Sequence, residues 1–430
     1  MIRFERNSAY RRGRNAVNER ARLFAVDGIA ILGNPQTGFV IGLSPDEVSL
    51  AQAFVAGEAS IADVGRLAPD LAAQMEAGRF DRLALPVLKS AYLHVTHRCN
   101  LRCEGCYSWI DGRNGSDDPT VTQIGNALRY LSSRGIAELN ISGGEPFLRS
   151  DLPAILELAA IDHGISSINV LTNGTVLDRG LLSACAPYID TISVSFDGAT
   201  ADHPAFIRGE QRFDRLVEFV TEAQAADINV CITPTVHRLN IDDVPLYYDL
   251  AARLHCELNF SLLSSTSCGW GDEGLMPTDD DLRRLASIMI QCSGGDGAAI
   301  QTLASGLECR ENCGAGMGTL SVAADGEVYP CHMMHDERYG MGNVFDGQGP
   351  TAKECEQIAR RVHEVSTSSP CASCDLRYLC GTGCRARAIG SGGETDPYCT
   401  LYQVFFRETM EGIKRQLPKE ASHAVSFRSR

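Results

Sequence analysis

Apolar and polar positions along the chain fall into three regimes. In the first, short alternating runs at Arg22 to Val26, Ile29 to Leu32 and Gly38 to Leu43 predict strands, separated by the turn signals Asp27-Gly28 and Asn34-Pro35. Ser44-Pro45-Asp46-Glu47 then supplies an N-cap, a proline at the first helical position and a glutamate three residues after the cap, which predicts a helix to about Gly57. Ser60 opens a second predicted helix that ends near Gly78.

In the second regime, apolar strands alternate with amphipathic helices. The strands are expected at Tyr92 to Thr96, Glu138 to Ser142, Ile168 to Leu171, Thr191 to Phe196, Asn229 to Thr233 and Glu257 to Leu263. Helical periodicity lies between them, as at Thr122 to Arg134, Leu152 to His163 and Phe213 to Ala226. Such repetition implies right-handed crossovers and a parallel sheet, an α/β fold read here as a partial (β/α)6 barrel or an open sheet. A ligand would sit at the carboxyl edges of the strands.

The third regime, from about Leu303 to Cys399, is poor in long periodic elements and rich in cysteine and glycine, so metal sites rather than a large core are expected to hold it together. The resulting division is 1–87, 88–300, 301–415 and a tail at 416–430. A chain of 430 residues is long enough for several cores.

Composition narrows the function. A net charge of −15 argues against a nucleic-acid binder, because phosphate contacts need a basic surface. The arginines at 3, 6, 11, 12, 14 and 20 read as a solvated arm. No stretch reaches the roughly 20 apolar residues that cross a bilayer, so no membrane partner and a cytoplasmic location are expected. In that reducing compartment, 17 cysteines point to metal binding rather than to disulfides.

Cys99, Cys103 and Cys106 directly follow the first strand of the second regime. Three thiolates at this spacing can wrap one face of a four-iron cluster and leave one iron open to a ligand, whereas structural zinc takes four protein ligands. Later come Cys309, Cys313, Cys331, Cys371, Cys374, Cys380, Cys384 and Cys399. Eight thiolates suffice for two fully ligated four-iron clusters, although zinc ribbons use the same number. Cys185, Cys231, Cys256, Cys268, Cys292 and Cys355 lack partner spacing and read as small buried apolar residues.

Cys99-x3-Cys103-x2-Cys106-Tyr107 resembles the signature of radical S-adenosylmethionine (SAM) enzymes. Gly143-Gly144-Glu145-Pro146, Thr172-Asn173-Gly174 and Ser195-Phe196-Asp197-Gly198 follow in that family's order. The resemblance implies that the three cysteines hold a [4Fe–4S] cluster and that SAM meets the backbone at Gly143, Gly144 and Glu145. Tyr107 would belong to the same cofactor site, with Ser195 at the ribose and Arg208 near the carboxylate. The third regime resembles the family's SPASM extension. By that likeness one auxiliary cluster takes Cys309, Cys313, Cys331 and Cys384, the other takes Cys371, Cys374, Cys380 and Cys399, and the cofactors total three [4Fe–4S] clusters and SAM.

Enzymes with this extension commonly modify peptides. Sulfatase-maturing members place an aspartate after the cysteine matching Cys331; here His332 stands there, which resembles enzymes that crosslink ribosomally made peptides and makes His332 a candidate proton acceptor. The first regime resembles a winged-helix element that recognises leader peptides, to which a leader would add as an edge strand. The expected partners are a precursor peptide with its leader and a reductant such as ferredoxin or flavodoxin. The expected reaction is hydrogen abstraction by a 5′-deoxyadenosyl radical, ending in a thioether or carbon–carbon crosslink. Epimerisation with Cys268 as hydrogen donor, formylglycine-type protein oxidation and a non-enzymatic iron–sulfur redox protein are the alternatives.

Overall fold

A computed structural model describes residues 21–81, 88–202, 207–209, 212–264, 274–292, 307–416 and 426–427. The N-terminal arginines and Cys268 lie outside these residues. The chain opens with an antiparallel meander of β1 (Arg22–Val26), β2 (Ile29–Asn34) and β3 (Phe39–Leu43), in which Leu32 stands opposite both Leu23 and Ile41. Asp27 and Gly28 both take positive φ, 47° and 83°. That combination makes the tight turn whose twist matches two antiparallel strands.

Helix α1 (Pro45–Val55) starts as its capping residues require: the Glu47 carboxylate accepts from the Ser44 backbone N–H at 2.8 Å. The single helix expected from Ser60 to Gly78 is instead two, α2 (Ile61–Gly65) and α3 (Pro69–Ala77). Proline bars helical geometry at the preceding residue, and Ala68 accordingly takes φ −141° and ψ 79°. The two faces of the meander serve different cores. Leu32 and Ile41 pack with Phe54, Val64, Leu71 and Met75, while Ile31 and Val40 face Leu307, Leu376, Leu379 and Met410 of the last third of the chain.

Strand–helix alternation follows: β4 (Ser90–His94), α4 (Val121–Ser133), β5 (Glu138–Ser142), α5 (Leu152–Glu157), β6 (Ser167–Thr172), α6 (Arg179–Cys185), β7 (Thr191–Val194), α7 (Phe213–Ala225), β8 (Asn229–Ile232), β9 (Thr235–Val236), α8 (Val244–Leu254), β10 (Glu257–Leu258), β11 (Ser261–Leu262) and α9 (Asp279–Cys292). Strands β4 to β8 and β10 run parallel in that order across one sheet. The strand expected at Glu257 to Leu263 is broken into β10 and β11. Its neighbour carries Pro234 at the break, which accepts from Ser261 N–H at 2.9 Å but has no N–H to return.

The last third contributes more to the core than its composition suggested. Strand β12 (Thr319–Val322) lies parallel to β4 and β13 (Val328–Tyr329) pairs with β12, so the main sheet grows by two strands. Leu320, Val322, Val328 and Val344 join the principal core. Helices α10 (Ala352–His363), α11 (Arg377–Cys380), α12 (Arg385–Gly390) and α13 (Cys399–Gln416) carry most of the later cysteines or flank them. A short strand, β14 (Ser426–Phe427), lies antiparallel to β3. Among the described residues no helix is long and apolar enough to cross a membrane.

Candidate active site

On β4, Ala91 and Leu93 enter the principal core, so Tyr92 and His94 face the other side of the sheet. The loop after β4 carries Cys99, Cys103 and Cys106, and the first turn after β5 clamps it. Gly144 N–H donates to Thr96 carbonyl and Glu145 N–H to Arg98 carbonyl, both at 2.8 Å. A Cβ at Gly144 would stand 2.0 Å from the Arg98 carbonyl oxygen, and one at Gly143, whose φ is 129°, 2.3 Å from that of Thr96. Two glycines are therefore the condition for this close approach.

The three thiols act on one another. Burial pushes the Cys103 thiol up to about 11; Arg208 pulls it down, Cys106 and Cys99 push it up, and Arg113 again pulls it down. Cys99 is likewise raised by burial, against the Leu101 N–H and Arg113, with Glu145 and Cys106 adding to the rise. A group of thiols that penalise each other's ionisation suits a cationic occupant, which removes the penalty.

Around them Tyr107 shares a hydrogen bond with Ser142 at 3.0 Å, and Ser108 donates to the Gly143 carbonyl at 3.0 Å. Arg208 reaches the Phe196 carbonyl and Thr235 hydroxyl, each at 3.3 Å, while its own N–H and that of Ile207 donate to Asp197. Ser195 N–H donates to Thr172 carbonyl at 2.9 Å, which holds it at the carboxyl edge of β7. Tyr107, Gly143, Gly144, Glu145, Ser195 and Arg208 thus lie at the carboxyl ends of the parallel strands or in the loops that leave them.

Other residues also reach this site. Arg113 is buried, donates to Leu101 carbonyl, lies 3.8 Å from Cys106 Sγ and stacks 4.4 Å over Trp109. Asn114 accepts from Cys99 N–H at 2.9 Å. Asn173 is placed 3.8 Å from Cys99 Sγ and donates to Asn100 at 2.9 Å. Asn173 belongs to the Thr172-Asn173-Gly174 segment, whereas nothing in the spacing announces Arg113 and Asn114.

Glu145 is fully buried, and burial raises it to about 7 although Asn173 N–H, Thr172 hydroxyl and Phe147 N–H all donate to it. A carboxyl raised from 4.5 stabilises the fold below that value and loses the contribution as pH rises through about 7. Without SAM, stability against urea should therefore fall between pH 5 and 8, by at most roughly 3 kcal/mol from this group. Glu145→Gln should flatten that dependence; an equally steep profile would exclude Glu145 as its source.

The later cysteines form two groups. Burial pushes Cys331 up to about 12; the Met333 N–H lowers it, Cys384 and Cys313 raise it and Arg387 lowers it. In the second group burial pushes Cys380 up to about 12, with Cys399 and Cys371 adding to the rise, and burial raises Cys399, with Cys371 and Cys374 adding. Cys371, Cys374, Cys380 and Cys399 line one pocket together with Asp396 and Tyr402. Among the described residues no three His, Cys, Asp or Glu side chains close on one point as around a single bare ion.

Cys309 departs from expectation. It is 1% exposed, in the core beneath the meander with Ile31, Val40 and Leu379, and a Cβ at Gly33 would stand 2.5 Å from its Sγ. Burial raises its thiol to about 12, and the charges that act on it are Glu311 and Arg22 rather than other thiols. Of the other three thiols expected with it, Cys313 and Cys384 act on Cys331. Cys309→Ala should leave iron content unchanged and cost about 1 kcal/mol in stability; loss of iron to the extent seen in Cys331→Ala would contradict this placement.

His332 joins the two halves of the site. Its ring stacks on Tyr92 with centroids 4.0 Å apart and meets Tyr107 edge-on at 5.1 Å, and its Nδ1 lies 3.6 Å from Cys331 Sγ. Burial lowers it to about 4, so the imidazole is neutral at physiological pH and a weaker base than a free histidine. His335 stacks on Tyr329 at 4.6 Å and approaches His94 at 4.5 Å.

A family model described as the radical SAM superfamily matches residues 93–251, the span that holds this thiol loop and the strands beside it. The chain carries a radical SAM domain. It is similar to the mycofactocin maturase of Mycolicibacterium smegmatis, 28% identical over 71% of this chain and 81% of that protein. It is also similar to the PqqA peptide cyclase of Methylobacterium nodulans, 28% identical over 74% and 87%. The fold is similar to that of Streptococcus suis SuiB, solved bound to precursor peptide SuiA, with a TM-score of 0.59 at 16% identity over 89% of this chain and 98% of that one.

Proposed function

We propose that this radical SAM protein is a cytoplasmic peptide maturase that takes hydrogen from a ribosomally made precursor and leaves an intramolecular crosslink. The observation that carries the reading is His332, which sets the Cys331 group against Tyr107, the residue after Cys106. An oxidising site with an electron acceptor and a proton acceptor beside the radical source fits a reaction that removes two hydrogens. The two curated relatives, named as a maturase and a peptide cyclase, support a peptide substrate.

Cys99, Cys103 and Cys106 would hold one [4Fe–4S] cluster. Cys313, Cys331 and Cys384 would hold a second and Cys371, Cys374, Cys380 and Cys399 a third, in an arrangement of the SPASM kind. When bound there, such a cluster and SAM would together supply a 5′-deoxyadenosyl radical for hydrogen abstraction. The backbone at Gly143 to Glu145, Ser195 and Arg208 would orient SAM, and Arg113 would offset negative charge at Cys106. His332 would accept the proton that leaves the oxidised substrate. A low-potential one-electron carrier of the ferredoxin or flavodoxin type would serve as reductant.

The meander β1–β3 and helices α1–α3 form the proposed leader-binding unit of winged-helix type, with the leader pairing along a strand edge. The test is co-expression with the small open reading frames beside the gene, followed by mass spectrometry. A loss of two hydrogens per event is expected. Deuterium uptake from solvent without such a loss would identify an epimerase instead.

A further inference from the structure

One face of the parallel sheet departs from the rule for such sheets, which are covered and apolar on both sides. Leu139 and Ile141 of β5, Ile168 and Val170 of β6, and Ile192 and Val194 of β7 enter the principal core. Between them stand Asn140, Asn169 and Ser193, half-buried on the opposite face. That face belongs to the site, for Tyr92, which stands opposite Asn140 in register, stacks there on His332. Ser142, bonded to Tyr107, and Ser195, the proposed ribose contact, each follow two residues later, roughly 7 Å further along the strand direction.

The three side chains form a row across the strands. Ser193 Oγ donates to Asn169 Oδ1 at 3.0 Å, and Asn169 Nδ2 donates to Asn140 Oδ1 at 2.9 Å. The row ends at Asn140 Nδ2, which has no partner among the described residues. Bonds in such a chain polarise one another, so the open end is a strengthened donor. Asparagine is depleted in strands, because its short amide competes with the backbone ladder, and two of them within adjacent parallel strands serve the sheet poorly. Departures from local preference of this kind gather at functional sites. Neither the row nor its neighbours Tyr92, Leu171 and Thr191 on the same face carry a charge, which fits an uncharged polar occupant.

We propose that Asn140, Asn169 and Ser193 form the seat of one amide group of the precursor and so select the carbon that is offered for hydrogen abstraction. This rests on the reading of the protein as a peptide maturase. The amide carbonyl oxygen accepts from Asn140 Nδ2, and the adjoining carbon then lies between the row and the level of Ser142 and Ser195, with Tyr92 and His332 at its side. The amide is that of a peptide bond or of an Asn or Gln side chain, and the contact is the same for both.

The test takes the whole chain and the precursor found by co-expression. Asn140→Leu and Asn169→Leu keep the size of the side chain and remove its hydrogen bonds. In each the KM for the precursor should rise about tenfold, the loss of one hydrogen bond between uncharged groups, and product formed per 5′-deoxyadenosine should fall. Thr191→Val, beside Asn169 in register but outside the row, should keep the wild-type KM. If a leucine variant fails to load iron, Asn140→Ser, smaller and still polar, is read in its place with the same expectation. A wild-type KM in the Asn140 variant overturns the proposal. So does a loss of SAM binding as large as the loss of peptide binding, which would give the row to the cofactor. Replacing each Asn and Gln of the precursor by Ala separates the two sources: an unchanged KM assigns the seat to a peptide bond, and a rise of the same size assigns it to a side chain. Wild-type protein that forms deoxyadenosine yet changes the mass of no neighbouring peptide refutes the maturase reading, and the seat with it.

Discussion

Cys103→Ala should abolish formation of 5′-deoxyadenosine, to the level of a control without protein, and leave the precursor peptide at its unmodified mass. The expectation follows from the motif and from the charges that act on Cys103. Cys103 feels both other thiols of its loop and lies close enough to Arg208 for the guanidinium to lower it, so its loss opens the group on the side facing the proposed SAM carboxylate contact. Iron content should fall by about the share of one of the three proposed clusters, because the later cysteines lie elsewhere in the fold. Deoxyadenosine at wild-type rates in anaerobically loaded Cys103→Ala protein would remove the proposed role of this thiol loop.

The second large effect is expected at a residue with no side chain. Gly144→Ala puts a Cβ 2.0 Å from the Arg98 carbonyl oxygen and 2.6 Å from that of His97, so backbone must move on one side or the other. Overpacking of this kind costs about 1–3 kcal/mol in stability. The loss of activity should exceed that cost, because the displaced segment is the one that carries Cys99, and a misplacement of about 1 Å at a reacting centre costs on the order of a hundredfold. Gly125→Ala, whose Cβ would meet nothing nearer than the end of Leu158 at 3.4 Å, serves as a comparison, since neither Gly125 nor Gly144 has positive φ. Equal activity in the two variants would show that the close approach to Arg98 has no bearing on the site.

Much of this fold was legible before any coordinates. Alternation in the meander, the capping signal at Ser44 and the strand–helix repetition from Tyr92 onward each depend on neighbours in sequence, and each appears near its expected place. The failures have local causes too: Pro69 splits one helix and Pro234 interrupts one strand, and both prolines were visible as residues without being weighed as breaks. What could not be read was long-range. Strand β12 joins β4 across more than half of the chain, and Asn173 meets Cys99 from 74 positions away. Cys309 shows the same limit from the other side, for its spacing suggested a ligand while its surroundings are those of a core residue.

The underside of the meander also bears on the order in which the protein can be completed. Ile31, Val40 and Val26 share a core with Leu376, Leu379, Met410 and Ile413, and ion pairs tie Arg22 to Glu311, 289 positions away, and Asp27 to Arg407, 380 positions away. Contacts so distant in sequence close slowly and late. On the ribosome, where N-terminal segments emerge first, this sheet has only its upper half to fold against until the final helix is made. The unit that would read a precursor's leader is thus finished last, by the same stretch of chain that carries Cys371, Cys374, Cys380 and Cys399.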